Sequence, residues 1–295
     1  MKTQKWINHN CSRLDGKTIC ITGSTGGLAS KFTLQLASLG ASLILANRDK
    51  EKSIKQKQTI LKKYQNIKIE IMTVDMFDMN SVKLFVCKLK MKNIDILILN
   101  SAVYFVPRQT SSYGYDNVFQ INFVSPYYIA KQMIPVLRKV KSSKVIVISS
   151  IAHNYSKVDF DDIQKLKTNK SNIIYGNSKR LLMFSMQKLF ENSHVGLAIV
   201  HPGITLTNMT NHYPKAINWL VKIGIKTFFP SPEKACLSVL YGIYNNTQTN
   251  EWIGPARKNI WGYPKIQKIN TCLDEEQLKI FKYAETIYKK VNNKE

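Results

Sequence analysis

The feature that most constrains the fold is a glycine-rich turn between an apolar run and a helical pattern. Residues 17–21 form the short apolar run, and residues 22–29, Thr-Gly-Ser-Thr-Gly-Gly-Leu-Ala, follow at once. Apolar residues then recur at helical spacing through residues 32–39. Glycines let a backbone approach a pyrophosphate closely, and the free amides at a helix start attract its charge. The turn therefore predicts a dinucleotide site, with a plain tight turn as the alternative.

The rest of the chain alternates apolar runs with helical patterns. Apolar strands separated by helices form parallel sheets that are covered on both faces. The chain has 295 residues, and its sequence shows no linker or internal repeat. We predict a single doubly wound α/β domain over residues 1–295, a Rossmann fold with helices on both faces. The predicted strands and helices lie at 41–46, 68–74, 94–99 and 145–150, and at 49–63 and 81–89.

The C-terminal region follows a different pattern from the predicted core, which spans residues 14–249. A Ser-Pro-Glu-Lys sequence predicts a capped helix over residues 235–244. Residues 250–295 are predicted to form a C-terminal arm and helix. We expect the arm, 250–264, to be irregular and to close the pocket, and the helix to begin at the acidic residues 274–276.

The end of the second predicted strand bears on the choice of cofactor. An acidic residue there would bind the adenosine ribose hydroxyls of NAD and repel the extra phosphate of NADP. This chain has Asn47 followed by Arg48 instead. An arginine can make charge-assisted hydrogen bonds to a phosphate. We therefore predict a preference for NADP(H), with NAD(H) as the alternative, and we place Asp75 within reach of the adenine edge. Arg48 as a merely solvated strand-end residue is the competing interpretation.

A tyrosine and a lysine four residues apart, Tyr175 and Lys179, open another helical pattern. Residues at this spacing lie on one face of a helix. A nearby cation favours the phenolate, so Lys179 is expected to lower the pKa of Tyr175 and to make it a ready proton donor and acceptor. The spacing alone is common in a chain rich in both residue types.

Together these motifs resemble the short-chain dehydrogenases/reductases. The family pattern Thr-Gly-x-x-x-Gly-x-Gly corresponds to residues 22–29, and Tyr-x-x-x-Lys to Tyr175 and Lys179. Between them, Asn122 matches the asparagine of the family's catalytic helix, and Ser150 ends a strand as the catalytic serine does. Because four motifs occur in the same order as in the family, common ancestry explains them far better than chance.

Two positions depart from the family pattern. Ala29 replaces the third glycine, which adds one methyl group where a helix packs on a strand. Residues 99–102, Leu-Asn-Ser-Ala, stand where the family usually has Asn-Asn-Ala-Gly. The central asparagine is retained as Asn100, so the resemblance still implies a contact with the sheet and the cofactor there.

The resemblance implies a role for each catalytic residue. Hydride would pass between the nicotinamide and a carbonyl carbon while Tyr175 gives or takes the proton. Ser150 would hold the substrate oxygen, and Lys179 would also bind the nicotinamide ribose hydroxyls. Asn122 would anchor a water that relays protons from Lys179 to solvent. The alternatives are that Ser150 only caps a turn and that Asn122 only satisfies backbone groups.

The spacing of the motifs suggests a branch of the family. Ser150 and Tyr175 are 25 residues apart, which is similar to the retinol-dehydrogenase-like and WW-domain-oxidoreductase-like branch, with residues 159–172 as the inserted segment. The His-Pro-Gly sequence at 201–203 resembles the segment that packs beside the nicotinamide. The predicted cofactor contacts are Gly23, Ser24, Thr25, Gly27, Leu28, Arg48, Asp75, Asn100, Tyr175, Lys179, Pro202, Gly203 and Thr205.

The family's substrate-covering segment corresponds to residues 213–229, an apolar stretch interrupted by lysines. It suggests a lipophilic carbonyl or alcohol substrate, and a peripheral contact with an anionic membrane is a second interpretation. A plain lid or core helix competes with both. His153 is a candidate pocket residue, with a place outside the pocket as an equal alternative, whereas His201 is expected to be structural. By family analogy we predict a homodimer through the helices that begin near Asn122 and Tyr175.

Charge and cysteine content indicate which partners, metal sites and cellular compartments to expect. The net charge of +24 comes from 43 Lys and Arg against 19 Asp and Glu, but the lysines are scattered and no nucleic-acid motif accompanies them. We therefore expect no nucleic-acid partner. Five separated cysteines without a CxxC motif argue against a zinc site or disulfide framework and for a reducing compartment. Without an apolar run of membrane-spanning length or a signal peptide at residues 1–13, we predict a cytoplasmic protein.

Two other functions remain as alternatives to the enzyme. One is a catalytically silent NADP(H)-binding regulatory protein of the same fold. The other is a basic protein that binds a membrane or nucleic-acid surface through its lysines.

Overall fold

The apolar runs form one eight-stranded sheet with the order β3-β2-β1-β4-β5-β6-β7-β8. It is seen in a computed structural model that describes residues 3–155, 157–203 and 230–294. The strands β1 to β7 pair in parallel, and β8 pairs antiparallel with β7. The strands are β1 Thr18–Thr22, β2 Ser42–Asn47, β3 Ile69–Thr73, β4 Ile96–Leu99, β5 Lys144–Ile148, β6 Gly196–Val200, β7 Glu251–Arg257 and β8 Trp261–Lys268.

Helices cover both faces of the sheet, so the predicted Rossmann fold is confirmed. One core packs α4, α6, α7 and α9 on the first face, and the other packs α1, α2 and α8 on the second. A π-helical turn, Gln120–Val124, joins α5 to α6. The helices are α1 Thr3–Asn10, α2 Gly27–Ser38, α3 Lys50–Leu61, α4 Met79–Leu89, α5 Asn117–Phe119, α6 Ser125–Leu137, α7 Ser171–Phe190, α8 Pro232–Tyr244 and α9 Asp274–Asn293.

The order of the strands positions the site. Strand β1 lies between β2 and β4, so the chain leaves β3 at one edge and returns to the middle of the sheet at β4. Ligands in sheets of this kind bind beyond the carboxyl ends of the strands at such a reversal. The glycine-rich turn after β1 and the segments after β4 and β5 meet there.

The prediction of an irregular arm over residues 250–264 is wrong. These residues lie largely in a β-hairpin, in which β7 extends the parallel sheet and β8 forms its edge. The strands were not predicted here because the segment contains glycine and proline, which are depleted in strands. Pro255 faces Pro264 across the hairpin, where an edge strand tolerates a missing donor. Buried Trp252 and Ile253 hold β7 in the core.

Helix α1 was not predicted from the sequence. Most of its residues are polar, and only Trp6 and Ile7 are buried. Trp6 stacks on Tyr263 with the ring centroids 6.1 Å apart. The partner of Trp6 lies in β8, so only the folded chain brings the two rings together. In the part of the chain that the structure describes, every helix is too short or too polar to cross a bilayer.

Candidate active site

The glycine-rich turn shapes one end of a cleft of about 660 Å³. Gly23 has a φ of +67°, and a Cβ there would lie 2.8 Å from the Ser101 hydroxyl oxygen, so both conformation and space require glycine. Helix α2 begins at Gly27, and no side chain among the described residues caps it at Gly26. The free amides at this helix start face the cleft together with Thr25, Gly27 and Leu28, and an uncapped, positive helix end fits a pyrophosphate.

Ser24 is the predicted cofactor contact that the structure does not place on the cleft wall. It is fully buried, and its hydroxyl donates to Gln56 Oε1 at 2.8 Å and accepts from Asn47 Nδ2 at 2.8 Å. Asn47 Oδ1 in turn accepts from the Thr25 amide at 3.3 Å. Asn47 therefore braces the turn against the end of β2, a role that requires contacts the sequence alone does not reveal.

Charged side chains gather where β2 and β3 end. Arg48, Asp49, Lys52 and Asp75 all line the cleft. The Arg48 side chain is 76% exposed, and its Nη1 lies 4.0 Å from Asp75 Oδ2. Lys52 Nζ lies 3.1 Å from Asp49 Oδ2. Lys52 was not predicted as a site residue. Its position four residues after Arg48, at the start of α3, could have indicated that it lies on the same side of the cleft.

Asn100 joins the end of β4 to the glycine-rich turn. Its Nδ2 donates to the carbonyl oxygens of Thr22 and Gly23 at 3.1 and 3.0 Å, and its backbone amide donates to Thr22 Oγ1 at 3.0 Å. Asn100 also lines the cleft. The departures at residues 99–102 therefore leave this connection intact.

Ser150, Tyr175 and Lys179 come together in the same cleft. Ser150 follows β5 and caps the short helical turn Ile151–Asn154, where its Oγ accepts from the Ala152 amide at 3.2 Å. The Ser150 side chain also hydrogen-bonds Tyr175. Lys179 Nζ lies 5.7 Å from the Tyr175 ring centroid and donates to the Ile148 carbonyl at 2.9 Å. Ser150 therefore caps a turn and faces Tyr175 as well.

The expected lowering of the Tyr175 pKa by Lys179 is wrong for this structure. Burial raises the pKa of Tyr175 to about 12, although the hydrogen bond from Ser150 opposes part of that rise. Burial also lowers the pKa of Lys179 to about 8. The spacing of the two residues predicts the effect of the Lys179 charge on the Tyr175 pKa. It does not predict how much water each side chain loses in the fold, and that loss disfavours both the phenolate and the ammonium.

Asn122 lies behind the cleft wall in the π-helical turn and is fully buried. Its Oδ1 accepts from the Val103 amide at 2.8 Å, and its Nδ2 donates to the Val103 carbonyl at 2.9 Å. A third hydrogen bond runs from Nδ2 to Ser178 Oγ at 3.1 Å. Asn122 thus holds the segment after β4 against α7, which carries Tyr175. Single π-turns of this kind are frequent at functional sites.

The opposite end of the cleft is largely apolar and aromatic. Tyr104 meets Tyr175 edge to face, with the ring centroids 5.2 Å apart. Tyr104 was not predicted as a site residue. Its position shortly after the end of β4 was the one feature of the sequence that could have placed it near the cleft. Other apolar or aromatic residues that line the cleft are Val103, Val106, Ile151, Ala152 and Tyr155.

The two histidine predictions have different outcomes. His153 is 1% exposed and lies behind the cleft, so of the two interpretations left open for it the structure favours the one outside the pocket wall. His201 lines the cleft, and its Nε2 donates to the Asn259 carbonyl at 3.0 Å, which supports a structural role. Pro202 and Gly203 also line the cleft, and their contact with the cofactor stays a prediction. Thr205 and the segment 213–229 lie outside the described residues.

The buried imidazole of His153 should make stability depend on pH. Burial lowers the pKa of His153 to about 4. Between the ordinary histidine pKa of about 6.5 and this value, the unfolded chain binds a proton at His153 that the folded chain does not. The free energy of unfolding therefore falls as pH falls, and His153 contributes about 3 kcal/mol to that fall. His201 adds to the fall, because burial lowers its pKa to about 4 as well. Urea unfolding at about pH 7.5 and about pH 4.5 measures the fall. His153→Gln should reduce it, and the exposed control His9→Gln should not; equal falls in both variants would contradict the assignment.

Comparison with known proteins gives a family match. The sequence profile of the short chain dehydrogenases matches residues 17–218. Human polyprenol dehydrogenase is 27% identical over 236 residues, which cover 75% of this chain and 70% of that protein. Human retinol dehydrogenase 13 is 29% identical over 206 residues, covering 68% of this chain and 62% of that protein. The match to the latter therefore spans less than two thirds of its length.

Solved structures share the fold at low sequence identity. A protein from Mycobacterium paratuberculosis superposes with a TM-score of 0.74 at 20% identity, covering 94% of this chain and 95% of that one. A short-chain dehydrogenase from Sphingobium yanoikuyae, in complex with NADPH, has a TM-score of 0.60 at 18% identity and covers 77% and 84%. A Burkholderia phymatum relative in complex with NAD has a TM-score of 0.61 at 15% identity and covers 80% and 88%.

The family profile spans most of the chain, and retinol dehydrogenases recur among the relatives. Strands β1 to β6 and the residues that line the cleft lie within the matched range. The resemblance noted in the sequence is therefore confirmed: the chain belongs to the short-chain dehydrogenase/reductase family of NAD(P)-dependent oxidoreductases, in its retinol-dehydrogenase-like branch.

Proposed function

We propose that this protein is an NADP(H)-preferring oxidoreductase that transfers hydride between nicotinamide and a lipophilic carbonyl or alcohol. One observation carries the proposal. Ser150, Tyr175 and Lys179 share a single cleft with an uncapped helix start and with the cations Arg48 and Lys52.

The donor set fits a nicotinamide dinucleotide. The free amides at the start of α2 would hold the pyrophosphate, and Lys179 would hold the nicotinamide ribose hydroxyls. When bound, the nicotinamide supplies or accepts the hydride. The protein's task is then to bind both reactants, to orient them and to manage the proton.

Tyr175 and Ser150 are proposed to act on the substrate oxygen. With a pKa raised to about 12, Tyr175 is protonated at neutral pH and can give its proton to an oxygen that gains charge during reduction. Ser150 donates a hydrogen bond to the same oxygen. The positive charge of Lys179 favours the phenolate left behind. Replacement of the proton through a water held near Asn122 completes the proposed cycle.

The preference for NADP(H) rests on Arg48 and Lys52. The gap of 4.0 Å between Arg48 and Asp75 is long for an ion pair and leaves the guanidinium donors available to a phosphate. Lys52 adds a second positive charge on the same side of the cleft. Asp49 and Asp75 are carboxylates in the same wall that would favour ribose hydroxyls, which is why NAD(H) stays the alternative.

A lipophilic substrate is supported by the wall around Tyr104. Its aromatic and aliphatic side chains offer few hydrogen-bonding groups apart from the catalytic ones. The relatives named polyprenol dehydrogenase and retinol dehydrogenase point to the same class of substrate.

Consumption of NADPH by purified protein tests the proposal. We expect turnover that rises with the chain length of the aldehyde or ketone, because apolar side chains in the cleft wall favour apolar chains. We also expect NADPH to be preferred over NADH, because Arg48 and Lys52 can bind its extra phosphate. Absorbance at the NADPH band measures the rate. Tight NADPH binding without turnover across the panel would favour the catalytically silent regulatory protein instead.

Assembly and location stay predictions. Helix α9 packs against the helices named for the homodimer: Gln277 donates to Gln187 Oε1 on α7 at 3.1 Å, and Tyr127 on α6 donates to Glu285 Oε1 at 2.6 Å. A dimer through these helices would have to use the surface that α9 leaves open. Contact with a membrane and a cytoplasmic location likewise stay predictions.

A further inference from the structure

Residues 251–276, here called the hairpin arm, lie beyond the part of the chain that the family profile matches. The arm comprises β7, β8 and the first residues of α9. It contacts two segments that line the cleft, the turn after Ser150 and the segment 201–203. These contacts suggest a function for the arm beyond completing the sheet.

The first contact reaches Ser150 through His153. His153 Nδ1 lies 2.8 Å from the Ser150 carbonyl oxygen, and His153 Nε2 lies 3.1 Å from Thr271 Oγ1. Because a carbonyl oxygen only accepts, Nδ1 carries the proton and Nε2 accepts from the Thr271 hydroxyl. The buried imidazole thus links the arm to the backbone of Ser150.

The second contact joins the arm to the helix that carries Tyr175. Arg180 follows Lys179 on α7 and is 3% exposed. Its Nε and Nη2 donate to both carboxylate oxygens of Glu276 at 2.8 and 2.6 Å. Nη2 also donates to the Thr271 carbonyl at 2.6 Å. A bidentate, charge-assisted pair of this kind fixes geometry strongly, and here it fixes the residue that orients His153.

The third contact is made by the ring of Trp252, which is 3% exposed. It stacks on His201 with the ring centroids 5.0 Å apart and meets His153 edge to face with the centroids 5.1 Å apart. The His201 amide donates to the Ile253 carbonyl at 2.7 Å. One strand of the arm therefore supports both segments that flank the catalytic end of the cleft.

Close packing on α7 leaves the turn after Ser150 little freedom. A Cβ at Gly176 would lie 2.3 Å from the Ala152 carbonyl oxygen, so the helix touches the turn directly. The turn is held between α7 on one side and His153, Thr271 and Trp252 on the other.

We propose that His153, Arg180, Trp252 and Thr271 are positioning residues through which the hairpin arm sets the place of Ser150 and His201 in the cleft. The inference rests on the proposed function, because it takes Ser150 as the group that holds the substrate oxygen. A displacement of about 1 Å at such a group is enough to reduce a rate by up to a hundredfold.

Thr271→Val and Arg180→Met test the proposal by kinetics. Thr271→Val removes the donor to His153 and keeps the side-chain shape. We expect kcat to fall about tenfold in each variant, with the Kd for NADPH changed less than about twofold, because the groups that hold the cofactor are untouched. Glu285→Gln is the matched control, since it lies on α9 but contacts Tyr127 and Lys131 on α6.

Amide hydrogen exchange of the peptide covering residues 150–155 supplies a readout that needs no substrate. Exchange should accelerate in Thr271→Val and Arg180→Met but not in Glu285→Gln. Equal exchange in all three variants, or equal loss of Tm with no change in kcat, would show that the arm is only structural and would overturn the proposal. Failure of the proposed function has a different signature, namely no turnover by the unmodified protein, and the exchange data still decide the role of the arm.

Discussion

Tyr175→Phe should reduce NADPH-dependent carbonyl reduction about 10³-fold, because it removes the proposed proton donor and little else. The hydroxyl faces Ser150, whereas the ring packs on Tyr104 with the centroids 5.2 Å apart. Phenylalanine keeps that ring contact, so the fold and the cofactor site should be unchanged. The predicted effect is therefore on kcat, with the Kd for NADPH within about twofold of the unmodified protein.

A matched control separates this loss from the general effect of deleting a phenol. Tyr113 is buried outside the cleft, and its hydroxyl lies 3.4 Å from Asn80 Oδ1. Tyr113→Phe should leave kcat nearly unchanged. Substantial activity in Tyr175→Phe would remove Tyr175 from the proton-transfer role, and a parallel loss of NADPH binding would assign it to the cofactor site instead.

Arg48→Ala combined with Lys52→Ala should weaken NADPH binding far more than NADH binding. Hydrogen bonds to charged groups contribute about 1.5–3 kcal/mol each, so loss of one phosphate contact weakens binding roughly tenfold to a hundredfold. NADH lacks the extra phosphate and should lose less than about threefold. Titration of each coenzyme by fluorescence measures both values.

Lys55→Ala provides the control for this pair, because Lys55 is an exposed lysine on α3 away from the cleft wall. It should leave both affinities unchanged. Equal weakening of NADPH and NADH by the double substitution would mean that Arg48 and Lys52 act through general attraction of anions or through Asp75. Raised ionic strength should also lower NADPH affinity more than NADH affinity, since salt screens exposed charges.

Local patterns in the sequence were sufficient to predict the Rossmann fold and to single out Ser150, Tyr175 and Lys179, which meet in the cleft. The strand at 18–22 could be predicted because Ile19, Cys20 and Ile21 form an apolar run, and the turn at Gly23 because glycine readily adopts the positive φ found there. Tyr175 and Lys179 could be paired because helical geometry places residues four apart on one face. Each of these is a property of neighbouring residues, and the order of the motifs then identified the family.

Lys52 had a local signal, but the other features that the sequence did not predict depend on contacts between distant segments. The β7–β8 hairpin needs β6 beside it, and Trp6 packs on the rings of Tyr241 and Tyr263, more than 230 positions away in the chain. His153 has its partner 118 residues away at Thr271.

The raised pKa of Tyr175 has the same origin. Burial dominates it, and burial is a property of the assembled cleft rather than of the spacing to Lys179. The sequence by itself determined which groups could do the chemistry, because residue type and local spacing are written in it. Only the tertiary structure decided how those groups are solvated and held, because solvation and hydrogen-bond geometry are set by everything packed around a side chain.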